Sequence, residues 1–399
     1  MYRASRALVA LASVALLGTL FLGVDRLSSS ALLNIQSAET LPGWTDVTSN
    51  PSPPAMAGAM MAYSWRAERF VLFGGWDGVT GLNGTWVYDP GNRTWNEIHP
   101  LVIPLARGDG MLVYDGVADA FILFGGWHEQ TVGTYSRLSD TWFFYLTNTT
   151  WMERHPSASP SPRSDALVAY DHFDDIVLLV GGFNGTAYLG DVWGYSARNG
   201  TWFPRASAVL PPPRADGRMI YVDEQDRFIL FGGNDFSGPN YTFHHLADTW
   251  SYGWRTNAWT PLTKSVGPGA RDYPVFAFNP KVRLGLLTSG FGNGTILGDL
   301  WGFNIMTDEW IDLTPQHSPP SRFAAVGGFD LGHDVLVLFS GLANAGLLAD
   351  TWHYAYGPLA GTPSVFPLTE LIGVGLLVVG IASTALLAVL WRRRSRDPS

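Results

Sequence analysis

Six tryptophans stand at a fixed distance from six glycines, and this ruler constrains the fold more than any other feature of the chain. Trp44, Trp95, Trp151, Trp202, Trp259 and Trp310 each precede a glycine by 31 residues: Gly75, Gly126, Gly182, Gly233, Gly290 and Gly341. A second series follows those glycines: Trp86, Trp142, Trp193, Trp250, Trp301 and Trp352. After each of the first five, the next Trp of the first series comes nine residues later; after Trp352 that position is Gly361. Trp44, left over at the front, supplies the missing element. Self-similarity at about 50 residues describes an array of supersecondary units that bury their faces against one another, here as a closed ring.

Each unit carries four short β-rich runs separated by Gly, Asp and Pro. In the second they are Gly110 to Tyr114, Phe121 to Phe124, Thr141 to Phe144 and Trp151 to Glu153. Gly 45, Trp 17 and Pro 26 with 15% charged residues agree with an all-β, turn-rich chain. Gly-Gly stands at 74/75, 125/126, 181/182 and 232/233 and becomes Ser289-Gly290 and Ser340-Gly341. Trp-x-[Tyr/Phe] is intact in all six units, from Trp86/Tyr88 to Trp352/Tyr354. Gly-Gly, Asp-x-Trp-x-aromatic and a second Trp together resemble the kelch motif. The resemblance covers residues 44–356 and implies an all-β, six-bladed β-propeller closed by an N-terminal outer strand. In that arrangement Trp44 to Thr48 form the outermost strand of blade six.

The ends predict a membrane setting. Arg3 and Arg6 precede an apolar run from Ala7 to Val24, the order of an export signal or an N-terminal anchor (residues 1–24). Leu371 to Trp391 is 21 residues without a charge, followed by Arg392, Arg393, Arg394 and Arg396. That pattern predicts a transmembrane helix over 371–391 with a basic cytoplasmic tail, 392–399. Linkers fall at 25–43 and 361–370, and the propeller spans 44–360, outside the membrane. Phe366 to Glu370 only faintly resembles a sortase sorting signal, and Glu at its cleavage position argues against processing. Seven Asn-x-Thr sequons (Asn83, Asn92, Asn148, Asn184, Asn199, Asn240 and Asn293) permit glycosylation there, although turn chemistry suffices to explain them.

Charge and chemistry narrow the function. Of 25 Lys+Arg and 34 Asp+Glu, seven and four lie outside residues 44–360, which leaves that span a net charge of −12. Such acidity argues against nucleic acid as a partner. With no cysteine there are no disulfides, thiol nucleophiles or thiolate metal sites. The absence also removes a copper oxidase similar to galactose oxidase, whose cofactor needs a Cys–Tyr cross-link. Ser196 to Trp202 does not meet the sialidase box. An exported sugar-acid epimerase, a family with the same kind of propeller, remains the enzyme alternative. The leading expectation is a non-catalytic module binding a protein or carbohydrate at the cell surface, tethered by its C-terminal helix, with no cofactor, metal or catalytic residue.

Three residue sets could carry binding. Arg107, Arg163, Arg214, Arg271 and Arg322 each lie 19 residues before the second Gly, and Asp140, Asp191, Asp248, Asp299 and Asp350 each lie two before a Trp. The first unit has Met56 and Gly84 instead. Joint loss predicts structural Arg–Asp pairs stitching blades; a ring of arginines for an anionic ligand is the alternative. Asp109, Asp165 and Asp216 follow the Arg by two in units two, three and four, where Gly58, Tyr273 and Ala324 stand elsewhere. They either cap turns or complete the Arg pairs, or they form a ligand site. Finally, the Gly-to-Trp interval is 11 residues in four units but 16 in the second and 17 in the fourth. Those longer loops hold Trp127, His128, Glu129, Tyr135 and Arg137, and Asp235, Phe236, Tyr241, Phe243, His244 and His245. Aromatic faces beside carboxylates suit a polar ligand such as a sugar. Adjacent histidines in an extended loop point apart, so His244, His245 and Asp248 are not expected to hold a metal.

Overall fold

The computed structural model describes residues 42–131, 133–237, 242–262 and 266–357. Thr40–Tyr356 form one compact unit, an all-β propeller of six four-stranded antiparallel blades. Blade one comprises Met60–Ser64, Arg69–Phe73, Thr85–Asp89 and Thr94–Ile98, in order from the axis outwards. Blades two to five repeat that order, and the inner strands of neighbouring blades touch around the axis. Blade six takes its outer strand from the front of the chain: Gly43–Asp46 pairs antiparallel with Thr351–Ala355, Trp44 opposite Tyr354. The expected segments at 1–24 and 371–391 lie outside the described residues. Among the described residues no helix is long and apolar enough to cross a membrane.

One blade cannot bury both faces of its sheet, so the apolar core is divided among the boundaries between blades. Blade two and blade three, for example, share Ile122, Phe124 and Phe143 with Val177, Leu179 and Trp202. The ruler tryptophans sit in these boundaries: Trp95, Trp151, Trp202, Trp259 and Trp310 are buried, and Trp44 packs partly buried between blades five and six. The second Gly of each pair explains the other end of the ruler. Its φ lies between +98° and +116° in all six blades, a region that L side chains avoid. At Gly126 a Cβ would stand 2.8 Å from the Gly108 carbonyl oxygen, while its own N–H donates to the Arg163 carbonyl of the next blade at 2.9 Å. The first position has φ near +65° and tolerates Ser289 and Ser340.

Candidate functional site

The Arg and Asp series meet within blades. Arg107 is wholly buried and bidentate to Asp140 at 2.7 Å on both oxygens; its Nη1 also donates to the Gly125 carbonyl at 2.9 Å. The same Asp accepts Trp142 Nε1 at 2.7 Å. Arg163–Asp191, Arg214–Asp248, Arg271–Asp299 and Arg322–Asp350 repeat this geometry. The expected stitching of blades needs correction in its route. Each ion pair stays inside one blade, because both residues sit at strand starts on the same edge of the same sheet. The link to the preceding blade runs through the arginine's backbone: Arg107 N–H donates to the Leu82 carbonyl at 2.9 Å and its carbonyl accepts Gly75 N–H at 2.8 Å. With every guanidinium of the series spent in this way, none is left for an anionic ligand. In blade one Met56, 1% exposed, fills the arginine's place.

Asp109, Asp165 and Asp216 do not complete those pairs. They lie on the axis with Gly58, Tyr273 and Ala324, all six at φ between +49° and +62°. Five backbone bonds link them in sequence around the channel: Gly58 N–H to Ala324 O at 3.0 Å, Asp109 to Gly58 at 2.8 Å, Asp165 to Asp109 at 2.8 Å, Asp216 to Asp165 at 2.9 Å and Tyr273 to Asp216 at 2.8 Å. Asp tolerates this left-handed conformation better than most residues, which accounts for part of the series. Gly58 is required by its neighbour, since a Cβ there would stand 2.6 Å from Asp109 Oδ1.

Backbone preference does not explain where the carboxylates go. Asp109 and Asp165, with Arg218 and Tyr273, line a cavity of about 160 Å³, and Asp216 stands next to Asp165 in the ring around it. Asp109 Oδ2 accepts Trp127 Nε1 at 2.7 Å, and Asp165 Oδ1 accepts the Tyr273 hydroxyl at 3.3 Å. Behind them Asn234 Nδ2 donates to Asp216 Oδ2 at 2.7 Å and to Asp272 Oδ2 at 3.1 Å. Asp216 Oδ1 and Asp272 Oδ1 are buried without a hydrogen-bond partner among the described residues. Burial and then repulsion from Asp165 push Asp109 up to about 8, against the Trp127 bond and Arg218. The same two causes hold Asp216 well above the usual carboxylate range. Burial pushes Asp272 up to about 6. Asp272 stands in the position after Arg271, a place that no repeat-wide pattern singled out.

Both longer loops form hairpins at this mouth, Trp127–Thr131 with Thr134–Arg137 and Asn234–Ser237 with Thr242–His245. From the first, Trp127, Tyr135 and Arg137 are brought towards the acids: Tyr135 stands edge-on to Trp127 at 5.3 Å, and Arg137 lies over Phe183 at 5.2 Å. His128 and Glu129 belong instead to a separate outer recess with Thr80 and Ala106. From the second, His244 Nδ1 lies 3.1 Å from Asp235 and His245 Nδ1 lies 3.4 Å from Asp272. Asp248 is held by Arg214, so those two histidines and Asp248 do not converge on one point. Tyr241 lies outside the described residues, and the side chain of Phe236 is likewise not described. Among the described residues one acid group, Asp171, Asp174 and Asp226, brings oxygens within 4.8 Å of one another; Arg255 already spans Asp174 and Asp226 at 3.1 and 3.3 Å.

Fold and repeat geometry together define a six-bladed β-propeller whose repeats are similar to kelch repeats. Residues 32–205 match the family model described as the KLHDC2/KLHL20/DRC7 Kelch-repeats domain. The chain is similar to the flagellar outer-arm dynein alpha chain of Chlamydomonas reinhardtii, 26% identical over 358 residues covering 77% of this chain and 7% of that one. It is 22% identical over 321 residues to Mei4-dependent protein 6 of Schizosaccharomyces pombe, covering 72% and 45%. To an F-box/kelch-repeat protein of Arabidopsis thaliana it is 26% identical over 201 residues, covering 46% and 39%. The chain thus spans less than half the length of each of these relatives. Kelch propellers commonly bind proteins, and the domain suggests a protein-binding module.

Proposed function

We propose that the propeller is a non-catalytic module that docks a protein segment on its hairpin face and holds a basic side chain of that segment at Asp109, Asp165 and Asp216. The observation that carries this reading is three carboxylates from consecutive blades sharing one channel mouth, with Arg218 as the cation lining it beside them. Carboxylates that repel one another and lose solvation are relieved by an incoming ammonium or guanidinium group, which gives them a reason to be where they are. Trp127 and Tyr135 supply aromatic area beside the acids, as binding faces commonly do. Those two rings also favour a glycan as the second reading. The setting expected from the termini, outside a membrane and tethered by residues 371–391, belongs to this proposal.

Fluorescence anisotropy with a panel of labelled peptides rich in Lys or Arg, beside neutral and acidic panels, tests it. Basic peptides should bind selectively, and Asp165→Asn should weaken them by about tenfold or more, the worth of one lost charge contact. Equal binding of neutral or acidic peptides, or indifference to Asp165→Asn, contradicts the reading.

A further inference from the structure

The opposite mouth of the channel is built from different chemistry. In every blade the first strand carries an aromatic at one register position: Tyr63, Tyr114, Tyr170, Tyr221, Phe278 and Phe329. These rings line an open cavity of about 430 Å³. Two residues further along each blade stand Trp65, Gly116, His172, Asp223, Pro280 and Leu331, which all differ. At Gly116 a Cβ would stand 2.2 Å from Trp65 Cζ2, so the missing side chain lets the indole of blade one lie across blade two. Trp65 meets Tyr114 at 4.6 Å and 83° and reaches Tyr170 of blade three at 6.0 Å and 24°. It nevertheless remains 38% exposed, an indole held in place and left open to solvent.

All four tyrosines donate their hydroxyls to carboxylates. Tyr63 donates to Asp330 at 2.6 Å, Tyr114 to Asp119 at 2.6 Å, Tyr170 to Asp115 at 2.9 Å and to Asp175 at 3.0 Å, and Tyr221 to Asp226 at 2.8 Å. A phenol that donates to an anion holds more electron density over its ring, and the anion adds negative potential behind it. Asp115 Oδ2 and Asp171 Oδ2 are buried here without a hydrogen-bond partner among the described residues. Arg198 on Asp175 and Arg255 on Asp226 offset part of the charge. At the rim Asp223 faces His172 at 3.4 Å, on the edge of the cavity. Electron-rich rings over carboxylates attract a cation that carries an apolar coat, because such a cation loses little hydration on leaving water.

We propose that this second mouth binds an organic cation, a quaternary or methylated ammonium group, on the faces of Trp65 and the tyrosines, with Asp223 as the counter-charge at the rim. The site is independent of the hairpin face and of the reading given to it.

The test is titration of the intact protein with choline, followed by tryptophan fluorescence and calorimetry, beside its neutral tert-butyl isostere and glucose. Choline should saturate, and the isostere should bind about tenfold more weakly, between the worth of an exposed and of a desolvated cation–π contact. Trp65→Ala should weaken choline by a similar factor, whereas Trp65→Phe, which keeps a ring, should lose less. Gly116→Ala leaves every lining side chain unchanged but displaces the indole, and it should also weaken choline. Thermal melts establish that each variant is folded. Equal binding of choline and isostere, saturation by glucose alone, no saturation by about 100 mM choline, or choline binding unchanged in folded Trp65→Ala would each overturn the proposal.

Discussion

Trp151 Nε1 donates to Thr85 Oγ1 at 3.0 Å, from the outer strand of blade two to the third strand of blade one. Trp95–Thr351, Trp202–Thr141 and Trp310–Thr249 repeat the bond at the same length. At the two remaining boundaries Val192 and Leu300 hold the threonine's place. There the indole N–H groups of Trp259 and Trp44 are buried with no acceptor among the described residues. Thr141→Val should therefore cost about 1–3 kcal/mol, because it strands the Trp202 donor. Val192→Thr, nearly isosteric, should stabilise by about 0.5–1.5 kcal/mol by giving Trp259 an acceptor. Chemical denaturation of both variants measures the pair of effects, and their opposite signs are the prediction.

The Arg–Asp pairs invite a double-mutant cycle that copies blade one. Asp299→Gly alone leaves the buried Arg271 guanidinium without its partner and should cost about 3–5 kcal/mol. Arg271→Met alone leaves Asp299, which is partly exposed, and should cost less. The double variant places in blade five the residues that blade one already uses, Met56 and Gly84. It should recover at least about 1 kcal/mol relative to the sum of the single changes. Strict additivity in denaturation experiments would mean that the two side chains do not act as a unit.

Within each Gly-Gly pair the two positions should respond differently. Gly125→Ser places a residue where Ser289 and Ser340 already stand, at φ of +66° and +61°. In Gly125→Ser and Gly126→Ser alike a Cβ would meet a backbone carbonyl, Arg163 O at 2.5 Å from Gly125 and Gly108 O at 2.8 Å from Gly126, so it is the φ of +102° at Gly126 that separates them. The second change should cost more than the first by about 1–3 kcal/mol, the usual range for backbone forced into a sparse region. Comparison of the two melting curves checks this ordering.

Stability should fall as pH rises through the neutral range. Asp109 and Asp272 hold their protons in the folded state up to about 8 and about 6, whereas in the unfolded chain they release them near about 4. Between those limits the folded state binds more protons than the unfolded one, so raising pH favours unfolding. Asp109→Asn removes the larger contribution. It should flatten the profile between about pH 5 and about pH 8. At the alkaline end it should raise stability by at least about 1 kcal/mol, the worth of one pKa unit. A wild-type profile that rises with pH over this window would contradict the charge account of the mouth.

Much of the ring was legible in the residues. The Trp-to-Gly interval, the elastic loops and the leftover Trp44 are properties of a repeat, and a repeat can be compared with itself. The three acids also stood out, because Asp109, Asp165 and Asp216 break the register that the rest of the chain keeps. What they do was less visible. Their left-handed backbone links and the turn of their carboxylates into the channel depend on the closure of the ring. Asp272 left no pattern, because its counterparts in the other blades, Ala57, Gly108, Ser164, Ala215 and Phe323, include no acid. The Trp–Thr bonds did leave a trace, a threonine before Trp86, Trp142, Trp250 and Trp352, but its partner lies one blade away. The aromatic at the same place in every first strand was equally visible. Its meaning depended on Gly116, whose missing side chain matters only once Trp65 is seen lying over it.

If the acidic mouth receives a basic group, binding should be accompanied by proton release. A cation entering beside Asp109 should expel the proton that burial and Asp165 retain there. Calorimetry of the Lys- or Arg-rich peptide selected above, run at neutral pH in buffers of different ionisation enthalpy, should show net proton release. Affinity should also rise from about pH 6 to about pH 9, and both effects should shrink in Asp109→Asn. Binding without proton release and with an affinity that neither pH nor Asp109→Asn alters would contradict the account.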